Sequence, residues 1–263
     1  MPVRKRLGQH FLHDPAVIQR LVELINPQPG ERLVEIGPGL GALTLPLLER
    51  ARSLTAVELD RDLAPRLQAT CSGFGALRLI LDDALRVDYP ALADGGALRM
   101  VGNLPYQISS PLLFRLLGSG APILDMHFML QREVVERIVA APGSRAYGRL
   151  SVAVAARAEA TALLRVGAGA FSPPPKVASA VVRLRPRPPP FALHCWGCFD
   201  QLLRQAFSAR RKTLRNAVAS LLAEDAIAAL QIDPRLRPER LHAADFAALA
   251  NRLHQQAGGC RAR

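Results

Sequence analysis

LVEIGPGLGALTLPLL, residues 33–48, joins a short apolar run, a glycine-rich turn and an apolar helical segment without a break. Gly37, Gly39 and Gly41 let the backbone turn sharply and come close to a ligand at a helix N-terminus. The spacing Gly37-x-Gly39-x-x-Ala42 also satisfies the permissive dinucleotide fingerprint, with Glu58 placed about 20 residues on to hold a ribose. Pro38 argues against a pyrophosphate in this loop, because it deletes a backbone donor that should cradle it.

The alternation of strand-like and helical segments continues along the chain. Further β-rich runs fall at 54–59, 77–81, 99–101, 126–130, 163–168 and 178–184, and segments of helical period at 14–25, 40–51, 61–70, 109–118, 131–140 and 148–158. With 33–36 this makes seven strands among helices, which predicts an α/β fold built on a doubly wound, Rossmann-like sheet. The last two strands are joined only by FSPPPKVAS, too short for a parallel crossover, so the last strand is expected to be antiparallel. The prolines of RPRPPP (185–190) can continue neither a helix nor a central strand and read as a stiff linker. QLLRQAF, RKTLRNAVASLLAEDA and AADFAALANRLHQQ then turn helical. The expected division is an α/β domain over 1–185 and a small all-α C-terminal domain over 186–263.

Composition adds a partner class. Lys and Arg total 34 against 22 Asp and Glu, a net charge of +12, and most of the basic residues are arginine. The guanidinium fork matches phosphate, so a polyanionic partner such as nucleic acid is expected. A GC-rich genome would explain Arg in place of Lys but not the net excess. No apolar run approaches the roughly 18 residues that span a membrane, and MPVRKRLGQHFLHDP lacks the apolar core of a signal peptide, so a cytoplasmic protein is expected. Cysteines stand at 71, 195, 198 and 260. The lone Cys195-Trp-Gly-Cys198 lacks the second ligand pair of a zinc site; His194 and Cys260 could in principle complete one, but reduced thiols and no metal are expected.

Two acids narrow the ligand. Glu58 ends the second strand in TAVELD, where a carboxylate can accept from both hydroxyls of a ribose, and Asp83 follows the third in LILDDAL, where it can accept from an adenine amine. Each could instead cap a helix. Three successive strand ends carrying a glycine loop, a Glu and an Asp favour an adenosyl ligand on the carboxyl edge of the sheet. Adenosylmethionine has no phosphate, so Pro38 costs it little, and it is the expected cofactor.

The fourth strand end reads Asn103-Leu104-Pro105-Tyr106. An exocyclic amine such as adenine N6 is a poor nucleophile, because its lone pair is delocalised into the ring. Two acceptors gripping its hydrogens would draw it towards a pyramidal, reactive form. The Asn103 amide oxygen and the Leu104 carbonyl are the natural pair, with Pro105 fixing the backbone between them. Tyr106 can stack on the base, worth about 1 to 3 kcal/mol on an aromatic face. The competing reading is a plain turn with Tyr106 at the surface.

GQHFL (8–12), EIGPGLG (35–41), VELD (57–60), GNLPY (102–106), FSPPPKV (171–177) and FSARRKTLRN (207–216) resemble, in order, the KsgA/RsmA small-subunit ribosomal RNA adenine dimethyltransferases. The resemblance covers nearly the whole chain. It implies transfer of two methyl groups from adenosylmethionine to N6 of each of two adjacent adenosines in the 3′-terminal hairpin loop of 16S rRNA. The substrate would sit in an immature small ribosomal subunit and the enzyme would act as a monomer. By position, the resemblance implies that His10 and Leu12 close over the cofactor, that Gly37 and Gly39 lie against it, and that Glu58 takes the ribose and Asp83 the adenine amine. Asn103 would touch cofactor and target alike, and Phe171 would give the target base a second aromatic face. Position 10 departs from the pattern, being His where many relatives have Asn.

The segment after Phe207 reads as a helix with Leu214, Val218 and Leu221 on one face and Lys212 and Arg215 on the other. A solvated basic face is the commoner meaning of such a pattern. Beside a base-modifying domain, Arg210, Arg211, Lys212 and Arg215 are expected to bind RNA phosphate, with Arg4, Lys5, Arg6, Arg145 and Arg149 as possible extensions. Three alternatives remain at this point. An Erm-type large-subunit rRNA methyltransferase shares the sheet and the acids, and an rRNA-binding assembly factor would need only the basic helices. An NAD-dependent oxidoreductase rests on the glycine loop alone, with no Tyr-x-x-x-Lys pair or catalytic His acid downstream.

Overall fold

The computed structural model describes residues 10–209 and 211–258. Arg4, Lys5, Arg6, Arg210 and Cys260 lie outside the described residues. The chain divides into two compact units, one of Met1–Val135 with Ala160–Pro186 and one of Glu136–Glu159 with Arg187–Arg263. The strands are β1 (Phe11–Leu12), β2 (Arg32–Ile36), β3 (Ser53–Glu58), β4 (Ala76–Leu81), β5 (Leu98–Asn103), β6 (Ile123–Gln131), β7 (Ala158–Val166), β8 (Phe171–Ser172) and β9 (Ser179–Pro186). The helices are α1 (Pro15–Ile25), α2 (Thr44–Ala51), α3 (Ala64–Cys71), α4 (Tyr89–Ala93), α5 (Ser109–Leu117), α6 (Arg132–Ile138), α7 (Arg149–Ala155), α8 (Trp196–Ala206), α9 (Leu214–Val218), α10 (Glu224–Ala228) and α11 (Ala243–Gln256).

All seven expected strands are present, and they form one sheet in the order β4-β3-β2-β5-β6-β9-β7. Neighbours from β4 to β6 are parallel, and the last strand, β9, runs antiparallel to β6 and lies beside β7, to which the short proline loop joins it. β2 sits in the middle because RLVEI is apolar apart from its ends and one Glu, and four of its five residues are buried. The chain leaves β2 first to one side, through β3 and β4, and then to the other, through β5 and β6. The strand order therefore reverses between β2 and β5, where open α/β sheets form their ligand crevice. α1 begins on Asp14, whose carboxylate accepts from the amides of Ala16 and Val17 at 2.9 and 3.2 Å, and ends on Asn26 in the left-handed region. Its buried face, Leu21, Val22 and Ile25, packs into a core shared with Leu33, Leu47, Leu54 and Val101.

At the amino end of the strands an ionic knot is buried. Arg99 on β5 donates to Asp125 on β6 at 3.0 and 2.9 Å, to Glu31 at 2.7 Å, and to the Ile25 and Asn26 carbonyls that close α1. Burial alone would lower the Arg99 pKa, but its hydrogen bonds to Asp125 and Glu31 outweigh that and raise it. His127, two residues along β6, is 4% exposed, and its Nδ1 lies 3.7 Å from Asp125 Oδ1, beyond hydrogen-bond reach. Burial, aided by Arg99, Arg183 and Arg185, drives its pKa down from 6.5 to about 4 against the pull of Asp125. The unfolded chain thus takes up this proton near pH 6.5 and the folded chain only near pH 4, so the stability His127 allows at neutral pH is lost as pH falls through that window. Glu35, raised by burial to about 7, works the other way and offsets the loss in the same window. The contrast between wild type and His127→Leu isolates it. Between about pH 7.5 and about pH 5, urea unfolding of the wild type should lose about 2 kcal/mol more than that of the variant. Equal losses would show that His127 titrates alike in both states.

The second unit is helical, with Phe199, Leu202, Leu203, Leu214, Val218, Ile227, Phe246 and Leu249 at its centre. Its composition corrects the expected boundary at residue 186, because Glu136–Glu159 belongs to this unit as well. The reason is polar as much as apolar. Tyr147 donates to the Leu241 carbonyl at 2.8 Å, Gly143 N to the Glu239 carbonyl at 2.7 Å, and Arg157 makes a forked pair with Asp200 at 2.8 and 2.9 Å. A linear reading that stops at the prolines cannot see these returns. The single helix expected over RKTLRNAVASLLAEDA is two short ones, α9 and α10, since Leu214 N and Arg215 N bond to the carbonyls of Leu236 and Pro234 instead of to a preceding helical turn.

Candidate active site

The carboxyl ends of β2, β3 and β5, with the turn after β4, enclose a cavity of about 190 Å³. β2 ends at Ile36, and Gly37 N reaches across to the Val57 carbonyl on β3 at 2.9 Å. Gly37 and Gly39 both hold positive φ, 69° and 58°, a region that other residues enter only with strain. Gly39 N donates to Glu58 Oε2 at 3.2 Å, and Asp60 N donates to Glu58 Oε1 at 2.8 Å. Glu58 is 6% exposed, and burial raises its pKa against these two backbone bonds. Each oxygen keeps lone-pair capacity, so the carboxylate is aimed before any ligand arrives. Pro38 lines the cavity and offers no N–H.

Asp83 also lines the cavity, beside Asp82. Its Oδ1 accepts from Leu85 N at 2.9 Å, so the residue caps a turn ahead of α4, whose own cap is Asp88. The capping and ligand readings are compatible here, because that turn bond uses one carboxylate oxygen. Gly102 brings β5 into place: a Cβ there would lie 2.5 Å from the Ile36 carbonyl oxygen, which only glycine avoids. Asn103 follows at the strand end, and its Nδ2 donates to the His10 carbonyl at 3.0 Å. That bond fixes the amide orientation and leaves Oδ1 as the free acceptor. Leu104 is 1% exposed and anchored by its N–H to the Met129 carbonyl at 3.1 Å, while its own carbonyl accepts no hydrogen bond among the described residues. The Pro105 carbonyl is taken by Ile108 N at 3.1 Å and Ser109 Oγ at 3.2 Å, which stiffens the turn. The Tyr106 hydroxyl pairs with the buried Ser179 Oγ at 2.9 Å, and its ring lies 5.7 Å from the His10 ring at 33°. Tyr106 is therefore pinned on the cavity wall instead of lying loose at the surface.

The structure brings together His10, Leu12, Gly37, Gly39, Glu58, Asp83, Asn103, Leu104, Pro105 and Tyr106 around one cavity. Phe171 is not among the residues that line this cavity. It is 2% exposed, pairs across β8 and β1 with Leu12, and packs in the core with Leu43 and Val181. Arg211, Lys212 and Arg215 are exposed in the helical unit, and Arg215 forms an ion pair with Glu224 at 2.9 Å. Lys212 precedes α9 and is not on its face.

Three cavity residues had not been anticipated. Glu35, in the middle of β2, has no exposed surface to speak of, and burial lifts its carboxyl to about 7, with Glu58 adding to the rise. The Thr44 hydroxyl is near enough to moderate that rise, yet neither it nor Glu35 Oε2 has a partner of hydrogen-bond geometry. A charged residue inside an apolar central strand was the available signal. Leu40 and Leu59 are 44% and 54% exposed on the same wall. Exposed apolar side chains at a cleft suit the faces of a flat ring. With Glu35 near the end of β2, Glu58 at the end of β3, Asp82 and Asp83 after β4, apolar flanks and no Lys or Arg among the described residues of its lining, the cavity fits an adenosyl group bearing a cationic sulfur and disfavours a polyphosphate.

The sequence profile of a family described as Ribosomal RNA adenine dimethylase matches residues 2–255. The Ribosomal RNA small subunit methyltransferase A of Xanthomonas axonopodis pv. citri is 53% identical over 251 residues, 95% of this chain and 96% of that protein. Among solved structures, a dimethyladenosine transferase from Plasmodium falciparum superposes with a TM-score of 0.81 at 25% identity, covering 94% of this chain and 98% of the other. The 23S rRNA methyltransferase ErmE superposes with a TM-score of 0.72, also at 25% identity, covering 93% and 100%. The glycine loop, the strand-end acids and the Asn-Leu-Pro-Tyr corner thus sit in a fold and a sequence that agree along almost their whole length, and the chain belongs to the ribosomal RNA adenine dimethylase family.

Proposed function

We propose that the protein dimethylates N6 of two adjacent adenosines in the 3′-terminal hairpin loop of 16S rRNA, with adenosylmethionine as methyl donor. It acts as a monomer, in the cytoplasm, on a small ribosomal subunit still being assembled. The observation that supports this chemistry is the Asn103 amide on the cavity lining, its Nδ2 held by the His10 carbonyl, next to a Leu104 carbonyl that accepts no hydrogen bond among the described residues.

When bound, the cofactor supplies a methyl group on a positively charged sulfur, already activated for transfer. The chain's residues do the rest. Glu58 accepts from the ribose hydroxyls and Asp83 from the adenine amine of the cofactor, while Leu40 and Leu59 flank it. Asn103 Oδ1 and the Leu104 carbonyl would accept the two hydrogens of the target N6 in the first transfer, and one of them the single remaining hydrogen in the second, freeing the lone pair towards the methyl carbon. Tyr106, braced by Ser179, offers its ring to the target base. As the target nitrogen gains positive charge, the acceptor bonds to its remaining hydrogens would strengthen, so Asn103 and Leu104 would stabilise the transition state more than the ground state. The nitrogen then sheds its extra proton to water. Alignment supplies much of the remaining acceleration, and no covalent nucleophile is needed.

Arg211 and Lys212 of the helical unit hold RNA phosphate, in keeping with the net charge of +12. Replacing both by Ala should weaken rRNA binding alike for all sequences and flatten the log–log salt dependence by about 1 for each phosphate that is no longer neutralised. An unchanged slope would place the phosphate-binding residues elsewhere. The overall reading is tested by deleting the gene and mapping dimethyladenosine by primer extension and mass spectrometry on both rRNAs. Loss confined to the 3′ hairpin of 16S rRNA is expected. Loss on 23S rRNA would assign the enzyme to the Erm-type activity that the ErmE superposition keeps in view. If a variant inactive in methyl transfer still repaired a subunit maturation defect, binding during assembly would be the main role.

A further inference from the structure

One cluster lies apart from the site described above. The ligand atoms of Cys195, Cys198 and His254 are all within 4.8 Å of one another, in the helical unit. Cys195 caps the start of α8, Cys198 lies on its first turn, and His254 lies on the last turn of α11. Both cysteines are in thiol form. We propose that these three side chains bind a zinc ion that clamps the start of α8 to the end of α11, with His194 swinging in as the fourth ligand.

The surroundings are built for this. Cys198 N donates to Cys195 Sγ at 3.2 Å, the kind of amide bond that steadies a metal-bound thiolate, and a helix N-terminus favours negative charge on that sulfur. Asn251 stands one turn before His254 on α11, on the same face. Its Oδ1 accepts from His194 N at 2.8 Å and its Nδ2 donates to the Ala192 carbonyl at 2.8 Å, so the loop leading into Cys195 is already tied to the helix that carries His254. The His194 ring lies 6.4 Å from that of His254, within reach of a side-chain rotation. Tetrahedral zinc with sulfur at about 2.3 Å and nitrogen at about 2.0 Å needs ligand atoms roughly 3.5 to 3.8 Å apart, so the cluster must close by about 1 Å around the ion. Two thiolates with imidazole select zinc over hard cations such as Mg²⁺ and Ca²⁺. Along the sequence only His194 stands beside the Cys-x-x-Cys pair, and the fold brings a second imidazole, that of His254, from far along the chain.

The test uses the full chain, purified without chelator under reducing conditions, with zinc counted by elemental analysis. Cobalt substitution then reports thiolate coordination through its charge-transfer and tetrahedral ligand-field bands. About one zinc per chain is expected, with a melting temperature that falls on chelation and recovers when zinc is returned. Cys195→Ser and His254→Gln, at partly exposed positions, should each weaken zinc binding at least about tenfold and remove the chelator-sensitive part of the melt. Wild-type protein that binds no more zinc than Cys195→Ser would overturn the site. So would unchanged affinity in His254→Gln, or cobalt spectra without thiolate bands. Should Cys198→Ser, at a buried position, fail to fold, the other two variants still decide.

Discussion

Asn103→Ala is expected to lower methyl transfer to adenosine by about 10²–10³-fold while leaving adenosylmethionine affinity within a few-fold, measured by single-turnover transfer of labelled methyl and by equilibrium dialysis. The side chain carries one of two acceptors poised for the target amine, and its loss removes a bond that tightens only as the nitrogen becomes positive. Glu58, Asp83 and the glycine loop stay in place, so the binding of the cofactor rests on groups that the substitution does not touch. A rate within tenfold of wild type would sink the mechanism. Asn103→Asp refines the argument. Its carboxylate still accepts from N6, but it has no N–H for the His10 carbonyl, so an intermediate rate is expected. Equal losses in the two variants would mean that the tether to His10, and not the acceptor, is what matters.

Arg99→Ala should destabilise the protein by about 3–5 kcal/mol in urea unfolding, with little effect on catalysis in whatever fraction remains folded. The guanidinium is the hub of the knot at the amino end of the sheet, and deleting it strands the Asp125 carboxylate in the interior and leaves the α1 carbonyls without their donor. Arg99→Lys should recover only part of the loss, since one ammonium cannot span Asp125, Glu31 and the end of α1 together. A cost below about 1 kcal/mol for Arg99→Ala would show that the folded state relaxes around the gap.

The sheet was legible because its strands are long enough for an apolar run to show, and because the glycine loop and the acids fall at strand ends that the alternation locates. Glu58 and Asn103 could be placed by this logic alone. The two-residue strands β1 and β8 could not, since a pair so short has no period and its register is set by a partner far along the chain. The burial of Phe171 could not be read either, since it depends on the cross-strand pairing with Leu12. The return of Glu136–Glu159 to the helical unit is another long-range matter, fixed by the bonds of Tyr147 and Arg157 and invisible to any local window. His254 escaped notice for the same reason, an ordinary late-helix residue until the fold sets it beside two sulfurs.

Among the described residues, the cavity wall carries Glu35, Glu58, Asp82 and Asp83 and no basic side chain but His10. Such a wall holds a cationic cofactor by more than its shape. On the proposed contacts, the spent molecule would keep its hydrogen bonds to Glu58 and Asp83 but lose the charge attraction, and would bind less tightly than the methyl donor. ATP and the dinucleotides, far richer in negative charge, are repelled from the start. Each rRNA hairpin needs the site to be emptied and refilled several times, and the charge lining the wall would favour a fresh methyl donor over the spent one at each exchange.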